Sequence, residues 1–396
     1  MTDDRGLRKL NRQSRLIHSG RASGNGVSVN PVVERASTFL YETVGAMRAV
    51  EAERDSTRQP RAYGRRGTAT TFSLEDALVD LEHGYGARIL PSGLSANVLV
   101  FQASLSAGDH AIVSDGVYGP VRKYVSSVLK RCGVEHDFCR ADGVGIEALI
   151  RPNTRLIYFE LPGAGLFELA DLPELGALAK RAGALLAVDN TWASGWLYHP
   201  IKLGADISIL SATKYLNGHS DVLLGAVVAN ERAWPAINSM AELTGIAASP
   251  DDSYQVLRGL RTLAVRMKSH ETQAGGLIEW FQRQPFVDRV HYPALPEHSG
   301  HQIWQRDFHG ANGLFTIQLR DDIDDGRASR FIDALSLFGI GSSWGGYESL
   351  ARLENGKTLR SLSQPPKGPV LRFHAGLEDI VDLLDDLDIA SRTLIG

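Results

Sequence analysis

The sequence predicts an α/β protein with a large domain on a mostly parallel sheet and a smaller α+β domain at the C-terminal end. Between residues 72 and 229, short apolar runs alternate with segments of helical periodicity, the pattern of parallel strands joined by crossover helices. After about Tyr254, a long amphipathic segment and more widely spaced strands replace that rhythm. The 396 residues suffice for two hydrophobic cores. We expect an N-terminal arm over 1–65, the large domain over 66–255 and the small domain over 256–396.

The arm has little regular periodicity and predicts one short helix, at Val44–Ala52. Because such a segment buries little apolar surface by itself, we expect it to contact a neighbouring subunit. Apolar residues spaced three and four apart then predict the helices of the large domain, Phe72–Glu82, Leu94–Leu105, Val121–Lys130 and Leu175–Arg181. Short apolar runs predict its strands, Ala87–Leu90, Ala111–Val113, Leu156–Glu160, Ala184–Val188, Ile207–Leu210 and Gly225–Ala229. In the small domain we expect helices Leu257–Trp280, Ser329–Leu337 and Glu378–Ser391 and strands Leu314–Leu319 and Val370–His374.

The bulk composition excludes several classes of protein. Hydrophobic residues make up 43% and charged residues 22% of the chain, which is ordinary for a soluble globular protein. The net charge of −4 gives no electrostatic reason to expect binding to nucleic acid or to a membrane surface. No apolar run approaches the roughly 18 residues of a spanning helix, and the first 15 residues lack the apolar core of a secretory signal. We therefore expect a cytoplasmic protein.

The two cysteines, Cys132 and Cys139, fit a reducing compartment better than a disulfide scaffold. His136 lies between them, but no fourth residue has the spacing of a metal ligand. We assign the cysteines to the end of one helix and to the next strand, and we predict no metal site.

Two strands of the predicted sheet end directly in polar side chains. Asp189 follows the first of them, and Ser211-Ala212-Thr213-Lys214 follows the second. Because the carboxyl ends of parallel strands meet at one edge of a sheet, these groups should lie together. One carboxylate, one lysine and two hydroxyls are the groups that bind pyridoxal 5'-phosphate (PLP). The lysine forms a Schiff base with the aldehyde, the carboxylate keeps the ring nitrogen protonated, and the hydroxyls bind the phosphate.

The plainer interpretations are a surface lysine for Lys214 and a turn carboxylate for Asp189. The apolar strand before Lys214 and the Gly218-His219-Ser220-Asp221 segment after it do not resemble a solvated surface. Burial would lower the pKa of Lys214 and supply the free amine that imine formation requires.

Three further segments are candidates for ligand binding. The loop Pro91–Ala96 precedes a helix, so the amides of Gly93 and Leu94 could bind phosphate, although a simple turn is the alternative. The loops Tyr63–Thr68 and Ser342–Ser349 combine glycines with arginines or with hydroxyls and aromatic residues, and either could instead be an ordinary turn.

Arg372 lies inside an apolar run, Val370–Phe373. A buried arginine needs a partner, and the α-carboxylate of an amino-acid substrate would serve.

Taken together, these motifs resemble those of the Cys/Met-metabolism PLP-dependent enzymes of fold type I, over nearly the whole chain. The strings that carry the resemblance are YGRRGT (63–68), DNTWASG (189–195), ATKYLNGHSD (212–221), RGLRTLAVR (258–266), SLFGIGSSWGGYESL (336–350) and LRFHAGLED (371–379). The first and fifth strings are similar to those of the cystathionine β-lyase branch more than to those of the γ-synthase or γ-lyase branches.

The resemblance implies a role for each matching position. Lys214 would form the Schiff base and move protons, Asp189 would pair with the pyridine nitrogen, and Tyr118 would stack on the ring. The implied phosphate ligands are Gly93, Leu94, Ser211 and Thr213, joined by Tyr63 and Arg65 of a neighbouring subunit. The implied substrate-binding residues are Ser343, Trp344, Arg372 and, at the distal end, Arg66.

The resemblance also implies an activity, the β-elimination of L-cystathionine to homocysteine, pyruvate and ammonia. Because Tyr63 and Arg65 would act on a neighbouring subunit's cofactor, it implies a homo-oligomer, at least a dimer and usually a dimer of dimers.

Three positions depart from this pattern, and all of them bear on substrate recognition. Ala164 lies in a loop where many relatives carry a polar residue, and Ser342 stands where some β-lyases carry tyrosine. Lys123 stands near a position where some β-lyases have an acidic residue facing the distal ammonium of cystathionine, which a lysine would repel. Two alternatives therefore stay open: an enzyme of this fold acting on another S-substituted or γ-substituted amino acid, including a γ-replacement transferase, or a non-catalytic PLP-binding regulator.

Overall fold

The computed structural model describes residues 10–21, 24–52 and 61–395. The expected arm therefore lies partly outside the described residues, as does most of the charged stretch between residues 51 and 61. Within the described ranges, no helix combines the length and the apolar character needed to cross a bilayer.

Seven strands form the central sheet: β1 (Gly86–Leu90), β2 (His110–Ser114), β3 (Glu135–Cys139), β4 (Thr154–Glu160), β5 (Leu185–Asp189), β6 (Ile207–Leu210) and β7 (Gly225–Ala229). Their order is β1-β7-β6-β5-β4-β2-β3. Six of these strands point the same way, and β7 runs antiparallel to both of its neighbours. The predicted mostly parallel sheet of the large domain is confirmed.

Apolar side chains cover both faces of this sheet. In β5, Leu186 and Val188 belong to one buried cluster, whereas Ala187 between them belongs to the cluster on the other face. The helices before and beside the sheet are α1 (Arg12–His18), α2 (Val44–Ala52), α3 (Ala69–Glu82), α4 (Gly93–Ser104), α5 (Gly119–Tyr124), α6 (Leu172–Ala182), α7 (Trp234–Leu243) and α8 (Pro250–Leu260). The sheet is therefore a middle layer, and its rim is the part open to ligands.

A second sheet of five strands follows: β8 (Val287–His291), β9 (Leu314–Leu319), β10 (Gly339–Ile340), β11 (Leu350–Glu354) and β12 (Val370–His374). Its order is β10-β11-β12-β9-β8, with all pairs antiparallel except β10 with β11. Its helices are α9 (Leu263–Gln282), α10 (His301–Asp307), α11 (Asp325–Asp333) and α12 (Ile380–Ile395). The predicted smaller α+β unit is confirmed, while the boundaries at 65 and 255 stay predictions.

One predicted helix is wrong. The segment Leu257–Trp280 is not continuous, because α8 ends at Leu260 and α9 begins at Leu263. The cap amide of Arg261 bonds to carbonyls three and two residues back, so the last turn of α8 tightens and the helix ends. Gly259 lies in this last turn, where a Cβ would come within 2.2 Å of the Asn217 carbonyl oxygen.

Candidate active site

Lys214 and Asp189 lie together at the carboxyl edge of the central sheet, as their positions after β6 and β5 predict. The Lys214 amine donates a hydrogen bond to Ser343 Oγ at 2.5 Å and lies 5.3 Å from the centre of the Trp344 ring. Burial is the main cause that lowers the pKa of Lys214 to about 8, with the charge of Arg372 adding to it and Asp189 opposing it. A large share of this amine is therefore neutral near pH 8, which is the form that acts as a nucleophile or a base.

Asp189 is almost completely buried, and hydrogen bonds fix both carboxylate oxygens. The backbone amide and the hydroxyl of Thr191 donate to Oδ1 at 3.0 and 2.5 Å, and Asn97 Nδ2 donates to Oδ2 at 3.1 Å. Burial raises the pKa of Asp189, and these hydrogen bonds counter that rise. A cation at the remaining face of the carboxylate would hold it ionised, as a protonated pyridine nitrogen does.

Asn97 is itself held in place. Its amide donates to Gly93 O at 3.1 Å, one turn earlier in α4, and its oxygen accepts a hydrogen bond from the Tyr158 hydroxyl. Tyr158 is fully buried and stacks on Phe101. The carboxylate of Asp189 therefore rests on a hydrogen-bonded chain that reaches the core.

The backbone amides of Gly93 and Leu94, at the start of α4, form a candidate anion site that we call the cradle. Ser92 and Ser95 form a capping box, which leaves the amides of Gly93 and Leu94 in the first turn without intrahelical acceptors. A Cβ at Gly93 would lie 2.6 Å from Ser211 Oγ, so only glycine allows the two segments to approach. This geometry suits a phosphate group, which takes hydrogen bonds from backbone amides at a helix N-terminus.

Thr213 follows Ser211 by two residues and is held by Leu224. Its hydroxyl accepts a hydrogen bond from the Leu224 amide at 3.0 Å and donates one to the Leu224 carbonyl oxygen at 3.2 Å. The backbone of Ser211 is also held in place, since its amide donates a hydrogen bond to Thr191 Oγ1 at 2.8 Å. Thr191 thus links the candidate phosphate ligands to the carboxylate of Asp189.

Arg372 extends from β12 toward the loop that carries Ser343. Its Nη2 donates to the carbonyl oxygens of Ser343 and Gly341 at 3.2 and 3.4 Å, and its Nη1 lies 3.3 Å from Glu354 Oε1. Burial lowers the pKa of Arg372, although Glu354 opposes the change. The guanidinium is therefore oriented beside the Lys214 amine, where a substrate carboxylate could reach it.

The backbone of the Ser343 loop is unusual. Ser343 has φ of +82°, a left-handed conformation that costs a non-glycine residue free energy and often occurs at functional sites. Gly345 follows with φ of +89°, and a Cβ there would lie 2.8 Å from the Tyr215 amide nitrogen. The loop therefore packs directly on the backbone beside Lys214, and this contact holds the Ser343 hydroxyl in position.

Tyr118 caps α5 at the same rim. Its amide donates to Glu160 Oε2 at 2.6 Å, and its side chain is 51% exposed. Glu160 ends β4 opposite Asp189 in the sheet register, and burial together with the charge of Asp189 raises its pKa well above the usual value. The exposed ring of Tyr118 leaves it open to stack on a bound ring.

The residues of the 63–68 loop lie elsewhere in this chain. Arg65 Nη1 donates to the Glu242 carbonyl oxygen at 3.1 Å, and Arg66 forms an ion pair with the Glu242 carboxylate at 2.7 Å. Tyr63 is 48% exposed. In the part of the chain that the structure describes, these side chains do not join the Lys214 cluster.

The three residues that depart from the family pattern, Ser342, Ala164 and Lys123, lie in different surroundings. Ser342 is exposed and accepts a hydrogen bond from Arg352 at 3.0 Å, and the Ala164 amide donates to Gly116 O at 2.7 Å. Lys123 is exposed on α5, and within residues 61–395 its side chain has no ion pair or hydrogen bond with the cluster.

Five residues of this site are absent from the sequence-based prediction: Asn97, Thr191, Glu160, Glu354 and Tyr158. Only Thr191 had a usable signal, because a threonine two residues after an aspartate commonly bonds back to that carboxylate. Asn97 follows Gly93 by one helical turn, a spacing that places it at the cradle but does not by itself indicate a partner.

Glu82 is a buried carboxyl group behind this site. It is fully buried at the end of α3, where it accepts a hydrogen bond from Asn190 at 2.9 Å, and burial raises its pKa from 4.5 to about 8. The folded protein therefore binds this proton more tightly than the unfolded chain does. The contribution to stability is complete below about pH 4.5 and is lost as the pH rises to about 8.

Replacing Glu82 with glutamine is expected to flatten this pH dependence, because the amide has the size of the protonated carboxyl and does not ionise. Unfolding of Glu82→Gln and wild type, followed by circular dichroism, should give similar midpoints at pH 5 and a higher midpoint for the variant at pH 8.5. The exposed Glu147→Gln is the matched control and should follow wild type. A variant that loses stability equally at both pH values would contradict the pKa assignment.

The fold and this site define a PLP-dependent enzyme of fold type I. Residues 13–392 match the model of the Cys/Met metabolism PLP-dependent enzymes, and the chain belongs to this family. Its cofactor is therefore pyridoxal 5'-phosphate. The amide cradle at Gly93, the buried carboxylate of Asp189 and the Lys214 amine are the groups that fit the phosphate, the pyridine nitrogen and the aldehyde.

The chain is similar to characterised proteins over nearly its full length. It is 40% identical to the cystathionine beta-lyase of Bordetella avium, covering 94% of this chain and 95% of that protein. It is 36% identical to cystathionine beta-lyase MetC of Escherichia coli strain K12, covering 98% and 99%. The crystal structure of cystathionine gamma-lyase from Lactobacillus plantarum, complexed with L-serine, superposes with a TM-score of 0.88 at 29% identity, covering 98% of this chain and all of that one.

Proposed function

We propose that this enzyme is a carbon–sulfur lyase that eliminates homocysteine from L-cystathionine and leaves pyruvate and ammonia. The observation that carries the proposal is the Lys214 amine, which is buried, depressed in pKa and fixed by Ser343 beside the guanidinium of Arg372. These three groups suit an amino-acid substrate, because one binds its carboxylate while another removes its Cα proton.

When bound, PLP supplies an electron sink for the negative charge that develops at the substrate Cα. Arg372 then binds the α-carboxylate and fixes the Cα–H bond toward Lys214. The Lys214 amine takes the Cα proton, and Ser343 holds the amine at the position where that proton leaves. Asp189, fixed by Thr191 and Asn97, would pair with the ring nitrogen and keep it protonated. The Cβ–S bond then breaks, the Lys214 ammonium gives its proton to the leaving sulfur, and the 2-aminoacrylate product takes up water to yield pyruvate and ammonia.

The active unit of this proposal is a homo-oligomer, at least a dimer. Support comes from the arm, where Val29, Val32 and Leu40 are 67%, 77% and 94% exposed and α2 buries no residue against its own chain. Apolar side chains exposed in this way are typical of an interface. Tyr63 and Arg65 would then reach the phosphate of the neighbouring subunit's cofactor.

The test is a product analysis of the purified holoenzyme with L-cystathionine. Pyruvate and homocysteine in equal amounts are the expected products. Formation of 2-oxobutyrate and cysteine would instead show γ-elimination and overturn the β-lyase assignment.

A second candidate is the same chemistry on a different S-substituted or γ-substituted amino acid. It is favoured by Lys123, whose positive charge would repel the distal ammonium of cystathionine if the side chain faces it, and by Ser342 and Ala164. Turnover of other S-substituted cysteines by an enzyme that leaves cystathionine intact would establish this alternative.

Lys123→Asp is expected to raise kcat/KM for L-cystathionine about fivefold. Charge reversal replaces repulsion of the distal ammonium with attraction, worth roughly 1 kcal/mol across about 8 Å of water. Initial rates at low substrate concentration measure the change, and Lys130→Asp, further along the helical segment that contains α5, is the control. Equal kcat/KM for Lys123→Asp and wild type would show that Lys123 does not face the substrate.

A further inference from the structure

A small cleft lies apart from the Lys214 cluster, between the N-terminal helix α1 and the segment after β5. None of its lining residues takes part in the site described above. They are Arg12, Arg15, Leu16, Ser19, Asp80, Leu81, His83, Trp196 and His199. The charged residues that line this cleft are thus two arginines, Arg12 and Arg15, and one aspartate, Asp80.

Arg12 is the central cation of the cleft. Its guanidinium stacks on the Trp196 ring, with Cζ 3.6 Å from the ring centre. Its Nε and Nη2 are buried and have no hydrogen-bond partner in the described chain. Because a buried charged donor without an acceptor is costly, these two nitrogens are suited to an acceptor that comes from outside the chain.

Two further side chains in the cleft have polar atoms without a partner in the described chain. Ser19 is 1% exposed and its hydroxyl has no hydrogen-bond partner, and the same is true of Nδ1 of His199, which is 9% exposed. The rings of His199 and His83 meet edge to face, with centres 4.8 Å apart. The cleft therefore brings a guanidinium, a hydroxyl and an imidazole nitrogen to one small space.

The electrostatic field in the cleft is positive. Burial is the main cause that lowers the pKa of His199 to about 2 and of His83 to about 4, and the nearby charges of Arg12 and Lys202 contribute to both shifts. Arg15 adds to the field, although its Nη2 is engaged by the carbonyl oxygen of Asp80 at 3.0 Å. Such a field disfavours any additional cation and attracts an anion.

We propose that this cleft binds a small oxyanion, a phosphate or a carboxylate, on Arg12, Ser19 and His199. The planar fork of Arg12 offers two parallel donors to two oxygens of the anion, which is the geometry that guanidinium groups provide. Stacking on Trp196 holds that fork in place. The hydroxyl of Ser19 supplies a further donor, and Nδ1 of His199 supplies another in the tautomer that carries the ring proton on this nitrogen. This inference does not rest on the proposed lyase activity.

The test is isothermal titration calorimetry of the holoenzyme, whose own cofactor fills the Gly93 cradle. Inorganic phosphate and acetate are titrated separately at constant ionic strength set with chloride. We expect Arg12→Gln and His199→Phe to weaken the binding of the preferred anion at least about tenfold. Arg283→Gln, an exposed arginine at the end of α9, is the matched control and should bind as wild type does.

The two anions distinguish the two sources of ligand. Binding of phosphate without acetate would assign the cleft to phosphate-type anions, and binding of acetate would assign it to carboxylates. Equal affinity in wild type, Arg12→Gln and Arg283→Gln would overturn the proposal, because the bound anion would then lie elsewhere. Absence of binding in wild type would also overturn it. If wild type binds neither anion and Arg12→Gln also changes the oligomeric mass of the protein, the cleft is a contact between chains.

Discussion

Lys214→Ala is expected to lower kcat for L-cystathionine by at least about ten-thousand-fold. In the proposed mechanism the change removes both the nucleophile that holds the cofactor and the base that takes the Cα proton, and general base catalysis alone contributes up to about 10⁴. Pyruvate release from the purified variant measures the loss. The yellow colour of the cofactor joined to the lysine should disappear with it.

Lys130→Ala is the matched control for this prediction, because Lys130 is exposed at the end of the helical segment that contains α5. It should keep the rate and colour of wild type. Circular dichroism of Lys214→Ala separates lost chemistry from lost folding. A folded Lys214→Ala protein that still forms pyruvate at a substantial rate would contradict the role of Lys214.

Asp189→Asn is expected to have the second largest effect, a fall in kcat of about 100- to 1,000-fold. The asparagine keeps the size of the side chain and can still accept the Thr191 bonds, but it removes the negative charge that would face the ring nitrogen in the proposed mechanism. Preorganised charges of this kind contribute on that scale to catalysis. Steady-state kinetics with saturating L-cystathionine measure the loss.

Two variants make this second prediction sharper. Asp142→Asn alters a carboxylate that pairs with Arg140 at the surface and should leave kcat unchanged. Asn97→Ala removes one donor to Asp189 and should cost less than Asp189→Asn, since Thr191 still fixes the other oxygen. If Asp189→Asn retained most of the wild-type rate, the carboxylate would not be the partner of the ring nitrogen.

The strands that build the site could be predicted from sequence because each is an apolar run that ends at a polar residue. In β5 and β6 the run ends at Asp189 and Ser211, and the structure ends both strands there to within a residue. Strand β3 lacks this signal, since His136 and Asp137 interrupt its apolar residues at the edge of the sheet. Edge strands have one side open to water, so their composition resembles that of a loop.

The parts of the site that sequence could not provide are the contacts between distant segments. Nothing near Arg372 in the chain indicates that Glu354 lies 3.3 Å from it, because they meet only after β11 pairs with β12. The break between α8 and α9 was missed for a related reason. Apolar periodicity continues through Arg261 and Thr262, and the close approach of Gly259 to Asn217 appears only in three dimensions.

Strand β7, which runs antiparallel to both of its neighbours, determines at what stage of folding the cofactor site can form. It is the last strand of the central sheet in the chain, yet it alone pairs with β1, the first one. Gly225 at its start lies against Ser92, where a Cβ would come within 2.1 Å of the carbonyl oxygen, and Leu224 holds Thr213. Contacts of such long sequence separation form late in folding. A chain emerging from the ribosome therefore has no place for the cofactor until β7 has been made, and PLP capture marks the completion of the central sheet.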